Sequence, residues 1–270
     1  MATISKEGTA YHLTGPQNAP VVVLAHGLGL NRQTWDRFVP VLSEQYRVLR
    51  YDLCGHGESA QPICIPNLSV LSDQLRALLD ELGIRRCAII GFSLGGMINR
   101  RFAMDHPDRV SALVILNSPH ERSPEAQRLV EDRAAQTDAG GPAATIDSTL
   151  ERWFTADFRA TRPDVLAQIR TTVLDNDPVN FTRHRQVLAQ GVIELIRPGS
   201  PITAPTLVIT CENDSGSTPE MSHAIASEIP QSRVLIVPEL QHMGLMERPE
   251  LFSTPILRFL IQTLGQEAAQ

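Results

Sequence analysis

The 270-residue sequence predicts an α/β fold, a doubly wound and mostly parallel sheet, from two observations. First, six short apolar runs rich in β-branched residues are bounded by turn residues, at 20–26, 46–52, 87–92, 111–117, 204–210 and 232–238. Such runs are typical of strands that are buried on both faces of a parallel sheet. Second, an amphipathic helical pattern separates the second run from the third, as in a βαβ unit.

The clearest predicted helix lies between Asn67 and Gly83. Within it, leucines recur at steps of three and four residues: Leu68, Leu71, Leu75, Leu78, Leu79 and Leu82. An asparagine side chain can accept a hydrogen bond from a free N–H at a helix start, and glycine readily adopts the left-handed conformation that ends a helix. We therefore expect the helix to begin after Asn67 and to end at Gly83.

The alternation of strands and helices is interrupted after Pro119. From Glu121 to about Arg197 the pattern is only helical, and the strand pattern resumes at Ile202. We expect residues 1–120 and 198–270 to form the core and residues 121–197 to form an inserted helical cap. The C-terminal segment reads as a helix that either kinks at Pro255 or begins anew just before it.

Composition and charge exclude several classes of protein. Hydrophobic residues make up 42%, charged residues 20%, and the formal net charge is −6, which gives no sign of a nucleic-acid or anionic-membrane partner. The four cysteines lack the spacing of a zinc or redox site, so we expect reduced thiols, no metal and a cytoplasmic protein. No apolar run approaches the length of a membrane span. The oligomeric state stays open.

The stretch from Ile89 to Gly96 has the spacing GxSxG, with Ser93 at its centre. An apolar strand precedes the serine and an amphipathic helix follows it. A sharp strand-to-helix turn needs glycine at positions 91 and 95, because a Cβ there would collide with neighbouring backbone. The turn would present the Ser93 hydroxyl at the carboxyl end of the sheet. The alternative is a serine that only builds the turn.

A serine hydroxyl needs a base, and the base needs a third group to orient it. Among the eight histidines, His242 follows the last predicted strand and lies where such a base is required. Asp214 follows the preceding strand in a turn-forming segment and is the expected acid, with Glu212 as the alternative. The chain order Ser93, Asp214, His242 is the order found in α/β-hydrolases.

A third element of the predicted site is a pair of backbone N–H groups for an oxyanion. The segment from His26 to Gly29 follows the first central strand, and its glycine-rich turn can direct the N–H of Leu28 toward the site. The N–H of Leu94, directly after Ser93, would be the second donor. The alternative for the first segment is a tight loop without a catalytic role.

Ordered segments of this sequence resemble the α/β-hydrolase superfamily: HGLG, YDLCGHGES, GFSLGG, ENDSGSTPE and QHMGL. The resemblance covers residues 11–118 and 202–264 and implies the α/β-hydrolase fold with a cap. YDLCGHGES is similar to a structural turn of that family, D-x-R-G-x-G-x-S, with Cys54 where arginine is common. That departure leaves the three predicted catalytic residues unaffected.

A finer resemblance is to the 3-oxoadipate enol-lactonase group, carried by LERWFTADFR and the elbow GFSLGGM. It implies that Trp153 lines the acyl pocket and that a cap arginine, Arg152 or Arg159, pairs with a substrate carboxylate. We also place Met243, which follows His242, in the substrate pocket. The alternative is that the aromatic residues only pack and the arginines are solvated.

Taken together, the motifs predict hydrolysis of a small-molecule ester or lactone through an acyl-enzyme, without a metal or organic cofactor. Three alternatives remain. They are a hydrolase of carbon–carbon bonds in ring-cleavage products, a cofactor-free lyase or synthase on the same scaffold, and a catalytically silent ligand-binding protein.

Overall fold

A sheet of eight strands lies at the centre of the computed structural model, which describes residues 2–267. The strands are β1 (Thr3–Ile4), β2 (Ala10–Thr14), β3 (Val21–Ala25), β4 (Arg47–Tyr51), β5 (Cys87–Phe92), β6 (Val110–Leu116), β7 (Thr206–Cys211) and β8 (Ser232–Val237). Their order in the sheet is β1-β2-β4-β3-β5-β6-β7-β8. The strands β3 to β8 pair in parallel, so the α/β fold and its six predicted strands are confirmed.

The parallel strands are buried because helices cover both faces of the sheet. Every residue of β5, β6 and β7 is buried. Register aligns apolar residues across neighbouring strands, for example Leu24 with Ile90 and Ile90 with Val114. Burial on both faces explains why these strands appear in the sequence as continuous apolar runs.

The helices follow the strands in the expected order. They are α1 (Val39–Leu42), α2 (Leu68–Glu81), α3 (Leu94–Asp105), α4 (Pro124–Gly140), α5 (Ile146–Trp153), α6 (Ala156–Thr161), α7 (Pro163–Leu174), α8 (Pro178–Gln190), α9 (Pro219–Ser227), α10 (Gly244–Glu247) and α11 (Glu250–Glu267). At the start of α2, the Asn67 side chain accepts a hydrogen bond of 2.9 Å from the N–H of Val70. Gly83 adopts φ +66° just beyond its end. The predicted bounds of this helix are confirmed.

Between β6 and β7 the chain forms the helices α4 to α8, without a strand among these described residues. The side chain of Asn176, at the end of α7, donates a hydrogen bond of 3.0 Å to the carbonyl of Gly29 in the core. The ring of Phe181 in α8 also lies against Gly29. The division into a core and a cap at residues 121 and 197 stays a prediction.

Two features of the fold add to the sequence-based expectations, which left open whether the last helix kinks at Pro255 or begins anew just before it. The edge of the sheet carries the antiparallel strands β1 and β2, and β1 is too short for its two residues to show a pattern. The helix α11 runs through Pro255 without starting anew. Proline forfeits a single backbone hydrogen bond there, and the burial of Phe252, Ile256 and Leu260 offsets that loss.

The turn from Asp52 to Ser59 is tied together by the buried Asp52 carboxylate. This carboxylate accepts hydrogen bonds from the N–H of Arg32 at 2.7 Å and of Glu58 at 2.9 Å, and it forms an ion pair with the Arg32 guanidinium. The Ser59 hydroxyl donates to the Asp52 carbonyl at 2.7 Å. The guanidinium that binds Asp52 thus belongs to Arg32, outside the turn, and not to position 54, where arginine is common in the family. The N–H of Cys54 donates instead to the side chain of Gln74.

None of the helices within residues 2–267 is both long and apolar enough to cross a membrane.

Candidate active site

Ser93 lies at a sharp turn between β5 and α3. Its backbone has φ 54° and ψ −113°, a conformation that is rare for a residue with a side chain. The N–H of Ser93 donates a hydrogen bond of 2.8 Å to the carbonyl of Leu116 at the end of β6. Strain of this kind persists only where the surroundings impose it, and it is common at functional sites.

The two glycines of GxSxG are needed for close backbone approach, as predicted. A Cβ added at Gly91 would lie 2.1 Å from the carbonyl oxygen of Gly95. A Cβ added at Gly95 would lie 2.2 Å from the carbonyl oxygen of Ala25 on the neighbouring strand β3. Neither distance is compatible with a side chain, because both clashes are with backbone.

His242 and Asp214 are joined by a hydrogen bond of 2.6 Å between the ring Nδ1 and the carboxylate Oδ2. Both side chains are buried, with residue exposures of 9% for His242 and 3% for Asp214. Since an ionised carboxylate only accepts hydrogen bonds, Nδ1 carries the proton and Nε2 is left as the basic nitrogen. The alternative acid Glu212 is exposed and accepts from the N–H of Glu239 instead.

Three further donors hold the Asp214 carboxylate. Its Oδ1 accepts from the N–H groups of Gly216 at 2.9 Å and Ser217 at 3.0 Å, and its Oδ2 accepts from the side-chain amide of Asn117 at 2.9 Å. Burial alone raises the pKa of this carboxyl, but the partner His242 and these donors outweigh burial, so the net pKa lies below its ordinary value. The carboxylate is therefore ionised at neutral pH.

The contact of Asn117 with the Asp214 carboxylate was not predicted from the sequence. Asn117 ends β6 with φ 44°, a left-handed conformation that asparagine tolerates better than most residues. An asparagine directly after an apolar strand, at the same sheet edge as Ser93 and Asp214, is the signal that could have identified it.

One pocket collects most of the residues singled out from the sequence. Ser93, Asp214, His242, Leu28 and Trp153 all line it. The His242 ring lies between two aromatic rings, with centroid distances of 4.9 Å to Phe92 and 6.0 Å to Trp153. The far-apart segments thus meet at the carboxyl end of the sheet.

The two predicted oxyanion donors lie next to this pocket. Leu28 lines it directly. Leu94 is the first residue of α3, so its N–H has no acceptor within its own helix. Among the bonds of the described residues, neither N–H has a protein acceptor. Both amides are thus available to an oxygen bound beside Ser93.

His26 fastens the loop that carries Leu28. Its Nδ1 donates a hydrogen bond of 2.8 Å to the carbonyl of Gly27, and its Nε2 accepts one of 3.0 Å from the N–H of Leu53. The ring is fully buried, and this burial lowers its pKa below the ordinary value. His26 is therefore a neutral structural group and not a base.

Four arginines line the pocket: Arg122, Arg133, Arg152 and Arg185. Of the two arginines named from the sequence, Arg152 is in the pocket lining and Arg159 is not. The other three were not recognised from the sequence, because helical periodicity does not show which face of a cap helix covers the sheet. Among the described residues that line the pocket, Asp214 is the one acid.

The expected place of Met243 in the substrate pocket needs correction. Met243 is fully buried and is absent from the pocket lining. It precedes α10, and its N–H donates to the carbonyl of Trp153 at 2.8 Å, which fixes the backbone and turns the side chain into the core. His120 and His184 also lie outside the pocket lining, against Glu228 and His56 respectively.

No group of three or more histidine, cysteine or acidic side chains within residues 2–267 is arranged to hold a metal ion. The expectation that the site needs no metal stays a prediction. The four cysteines, Cys54, Cys64, Cys87 and Cys211, are free thiols.

The sequence of this chain matches the family model described as the alpha/beta hydrolase fold over residues 20–249. A Stutzerimonas stutzeri protein named as a carbamate hydrolase is 31% identical over 257 residues, covering 93% of this chain and 96% of its relative. The 3-oxoadipate enol-lactonase 2 of Acinetobacter baylyi is 26% identical and covers 90% of this chain and 89% of its own length.

Among solved structures, the crystal structure of the enol-lactonase from Burkholderia xenovorans LB400 superposes with a TM-score of 0.86. It is 31% identical in sequence, and the match covers 93% of this chain and 96% of that one. The similarity extends over the helices between β6 and β7 as well as the sheet, since so little of either chain is left unmatched.

Proposed function

Because this chain belongs to the α/β-hydrolase family, we propose that it is a serine hydrolase that cleaves a small ester or lactone through an acyl-enzyme. One observation carries the proposal. Ser93, in a strained turn, shares a pocket with a histidine whose Nδ1 is hydrogen-bonded to a buried carboxylate at 2.6 Å. This is the arrangement of nucleophile, base and orienting acid.

In the first half of the reaction, His242 Nε2 removes the proton of the Ser93 hydroxyl as the oxygen attacks the carbonyl carbon. Asp214 keeps the proton on Nδ1 and stabilises the imidazolium that forms. The tetrahedral oxyanion is bound by the N–H groups of Leu28 and Leu94, and the positive end of the α3 dipole adds to this stabilisation.

In the second half, the imidazolium protonates the leaving oxygen. For a lactone, that oxygen stays attached to the acyl group, so ring opening leaves one linear acyl-enzyme. A water molecule then gives a proton to the same Nε2 as it attacks the acyl carbonyl, and the imidazolium returns that proton to the Ser93 oxygen as the acid is released. The atoms balance as one water consumed for each ester bond cleaved.

We further propose that the substrate is a carboxylate-bearing lactone whose carboxylate pairs with Arg152. Arg152 lines the pocket and forms one weak hydrogen bond, at 3.4 Å to the Thr149 hydroxyl. The same pocket wall carries Trp153, which offers an apolar surface to the acyl chain. The names of two similar proteins, both enol-lactonases, support this substrate class.

A carbamate is the second candidate substrate. The relative named as a carbamate hydrolase is 31% identical, as high as the enol-lactonase of known structure. The same nucleophile and oxyanion donors serve a carbamate, with nitrogen or oxygen as the leaving atom.

The four free cysteines support our further expectation of a cytoplasmic enzyme.

Esters, small lactones and carbamates, each with and without a free carboxylate, test the proposal on the wild type and on Ser93→Ala. We expect Ser93→Ala to lose turnover by about six orders of magnitude, as for other serine hydrolases. The matched control is Ser215→Ala, an exposed serine that lines the same pocket and should retain activity. Turnover by Ser93→Ala close to the wild-type rate would refute the proposal.

A further inference from the structure

The pocket contains more positive charge than the proposed reaction uses. The guanidinium groups of Arg122, Arg133, Arg152 and Arg185 line it, while the single lining carboxylate among the described residues, Asp214, is already bonded to His242. One substrate carboxylate would pair with one arginine and leave the others unbalanced.

Arg185 in α8 is the most unusual of the four. It is only 8% exposed, yet its Nε is buried without a partner, and no hydrogen bond or ion pair joins it to another residue within 2–267. Burial, together with the nearby positive charges of Arg152 and Arg133, lowers its pKa to about 10. A desolvated cation without an anion is strongly unfavourable for the folded state.

The two other buried arginines among the described residues each have charged or carbonyl partners, although the Nε of Arg32 is also without one. Arg32 forms an ion pair with Asp52. Arg100 donates to the carbonyl of Gly96 at 3.1 Å and to that of Pro119 at 2.6 Å.

The three remaining pocket arginines differ in how much of their hydrogen-bonding capacity is used. Arg122 donates to the carbonyls of Leu188 and Ala189, so it is largely committed to the end of α8. Arg152 has only its weak bond to a threonine hydroxyl. Arg133 in α4 forms no ion pair with the described residues, and its charge is close enough to lower the pKa of both Arg152 and Arg185.

We infer that the substrate of this enzyme carries two carboxylates in addition to the ester or lactone that is cleaved. Arg152 binds the first carboxylate, and Arg185 together with Arg133 binds the second. This inference rests on the proposed function. A guanidinium matches a carboxylate in charge and in planar geometry, and in a buried pocket such a pair is strong.

Three phenyl esters whose acyl groups share a propane skeleton test the inference. The acyl groups are butyrate, glutarate and propane-1,2,3-tricarboxylate, which carry zero, one and two free carboxylates beside the terminal ester. Rates are corrected with the Ser93→Ala protein. For the wild type we expect kcat/KM to rise by about tenfold or more from the one-carboxylate to the two-carboxylate ester, since hydrogen bonds to charged groups are strong.

Arg185→Met keeps much of the side-chain volume and removes the charge. We expect it to lower kcat/KM for the two-carboxylate ester by about 10- to 100-fold, and by much less for the one-carboxylate ester. The control is Arg183→Met on the same helix, because Arg183 is exposed and should matter for neither ester. Thermal unfolding verifies that both variants are folded.

Two results would overturn the inference: equal rates for the one- and two-carboxylate esters, or an equal loss for all three esters in Arg185→Met. If Ser93 is still required for turnover in that case, the proposed function stands without the inference. If none of the esters, lactones and carbamates is cleaved, the proposed function fails, and calorimetric titration decides the inference separately. Glutarate, with two carboxylates, should then bind about tenfold more tightly than butyrate, with one, and Arg185→Met should abolish the difference; equal affinities would refute it.

Discussion

The carboxylate of Asp214 accepts hydrogen bonds on both oxygens, and one donor is the side chain of Asn117 at 2.9 Å. Asn117 does not line the pocket, so it acts on the reaction only through Asp214. Its amide fixes the carboxylate plane toward His242 and favours the ionised form of the acid. We regard Asn117 as a positioning residue.

Asn117→Gly removes this amide while keeping the left-handed backbone, which glycine adopts without strain. We expect kcat to fall by about tenfold with a small change in KM, because one charge-assisted hydrogen bond is lost from a group that stabilises the imidazolium. The control is Asn213→Gly, an exposed asparagine one residue before Asp214. A rise in KM at constant kcat would contradict the positioning role.

Residue type and place in the pattern were enough to select Ser93, Asp214 and His242 as candidates. They follow apolar strands by one, three and five residues, at the same edge of the sheet. The place of Met243 next to His242 in the sequence was not enough to predict where its side chain lies. The residue after His242 faces the core because the backbone turns into α10 at that point. Side-chain direction in an irregular segment depends on backbone angles that no periodic pattern encodes.

At the scale of elements, the helix α5 is fastened to the segment that carries His242. The Thr155 N–H and hydroxyl donate to the Glu247 carboxylate at 2.8 Å and 2.7 Å, and the Met243 N–H donates to the Trp153 carbonyl at 2.8 Å. These bonds join the wall of the pocket to α10. The position of Trp153 relative to His242 therefore depends on Glu247.

Glu247→Ala breaks the two bonds to Thr155 and leaves the N–H and hydroxyl of this half-buried residue without that acceptor. We expect KM for the preferred substrate to rise several-fold, and the free energy of unfolding to fall by about 1–3 kcal/mol. Steady-state kinetics and urea unfolding measure the two quantities. Glu250→Ala is the control, since Glu250 is exposed and pairs with the exposed Arg248; equal effects of both substitutions would count against this account of α5.

The helix α8 shows where sequence patterns stop being informative. Its residues Arg183 and Arg185 are two positions apart, yet the first is exposed and the second is buried in the pocket. Between them, His184 lies against His56 with a ring-centroid distance of 4.6 Å. Only the packing of α8 over the sheet distinguishes these arginines, whereas α2 and the parallel strands are defined by apolar periodicity alone.

At the scale of the whole molecule, three buried histidines link the core loops to the helix α8. His56 lies between His26 and His184, with ring-centroid distances of 5.4 Å and 4.6 Å. Burial is the largest cause that lowers the pKa of each ring, and neighbouring rings lower the pKa of His56 and His184 further. All three are therefore neutral in the folded protein at neutral pH.

This cluster predicts that the folded state loses stability in mild acid. In the unfolded chain each histidine takes up a proton near pH 6.5, while in the folded protein it resists protonation, so the unfolded state binds more protons. The free energy of unfolding should fall as the pH drops below about 6.5, by about 1.4 kcal/mol per pH unit for each neutral ring. Urea unfolding between pH 7.5 and 5 measures the slope.

His56→Leu should flatten this slope by the contribution of one ring. His223→Gln, which changes an exposed histidine of α9, should leave the slope unchanged and serves as the control. A stability that is constant from pH 7.5 to 5 in the wild type would contradict the account of the buried histidines.

The measurement that tests the central claim most directly is the mass of the covalent adduct formed with a fluorophosphonate, located by peptide sequencing. We predict one adduct per chain, on Ser93, formed rapidly in the wild type and far more slowly in His242→Ala, where the base is missing. An adduct on another residue, or full esterase activity in a protein that takes up no label, would contradict the assignment of Ser93 as the nucleophile.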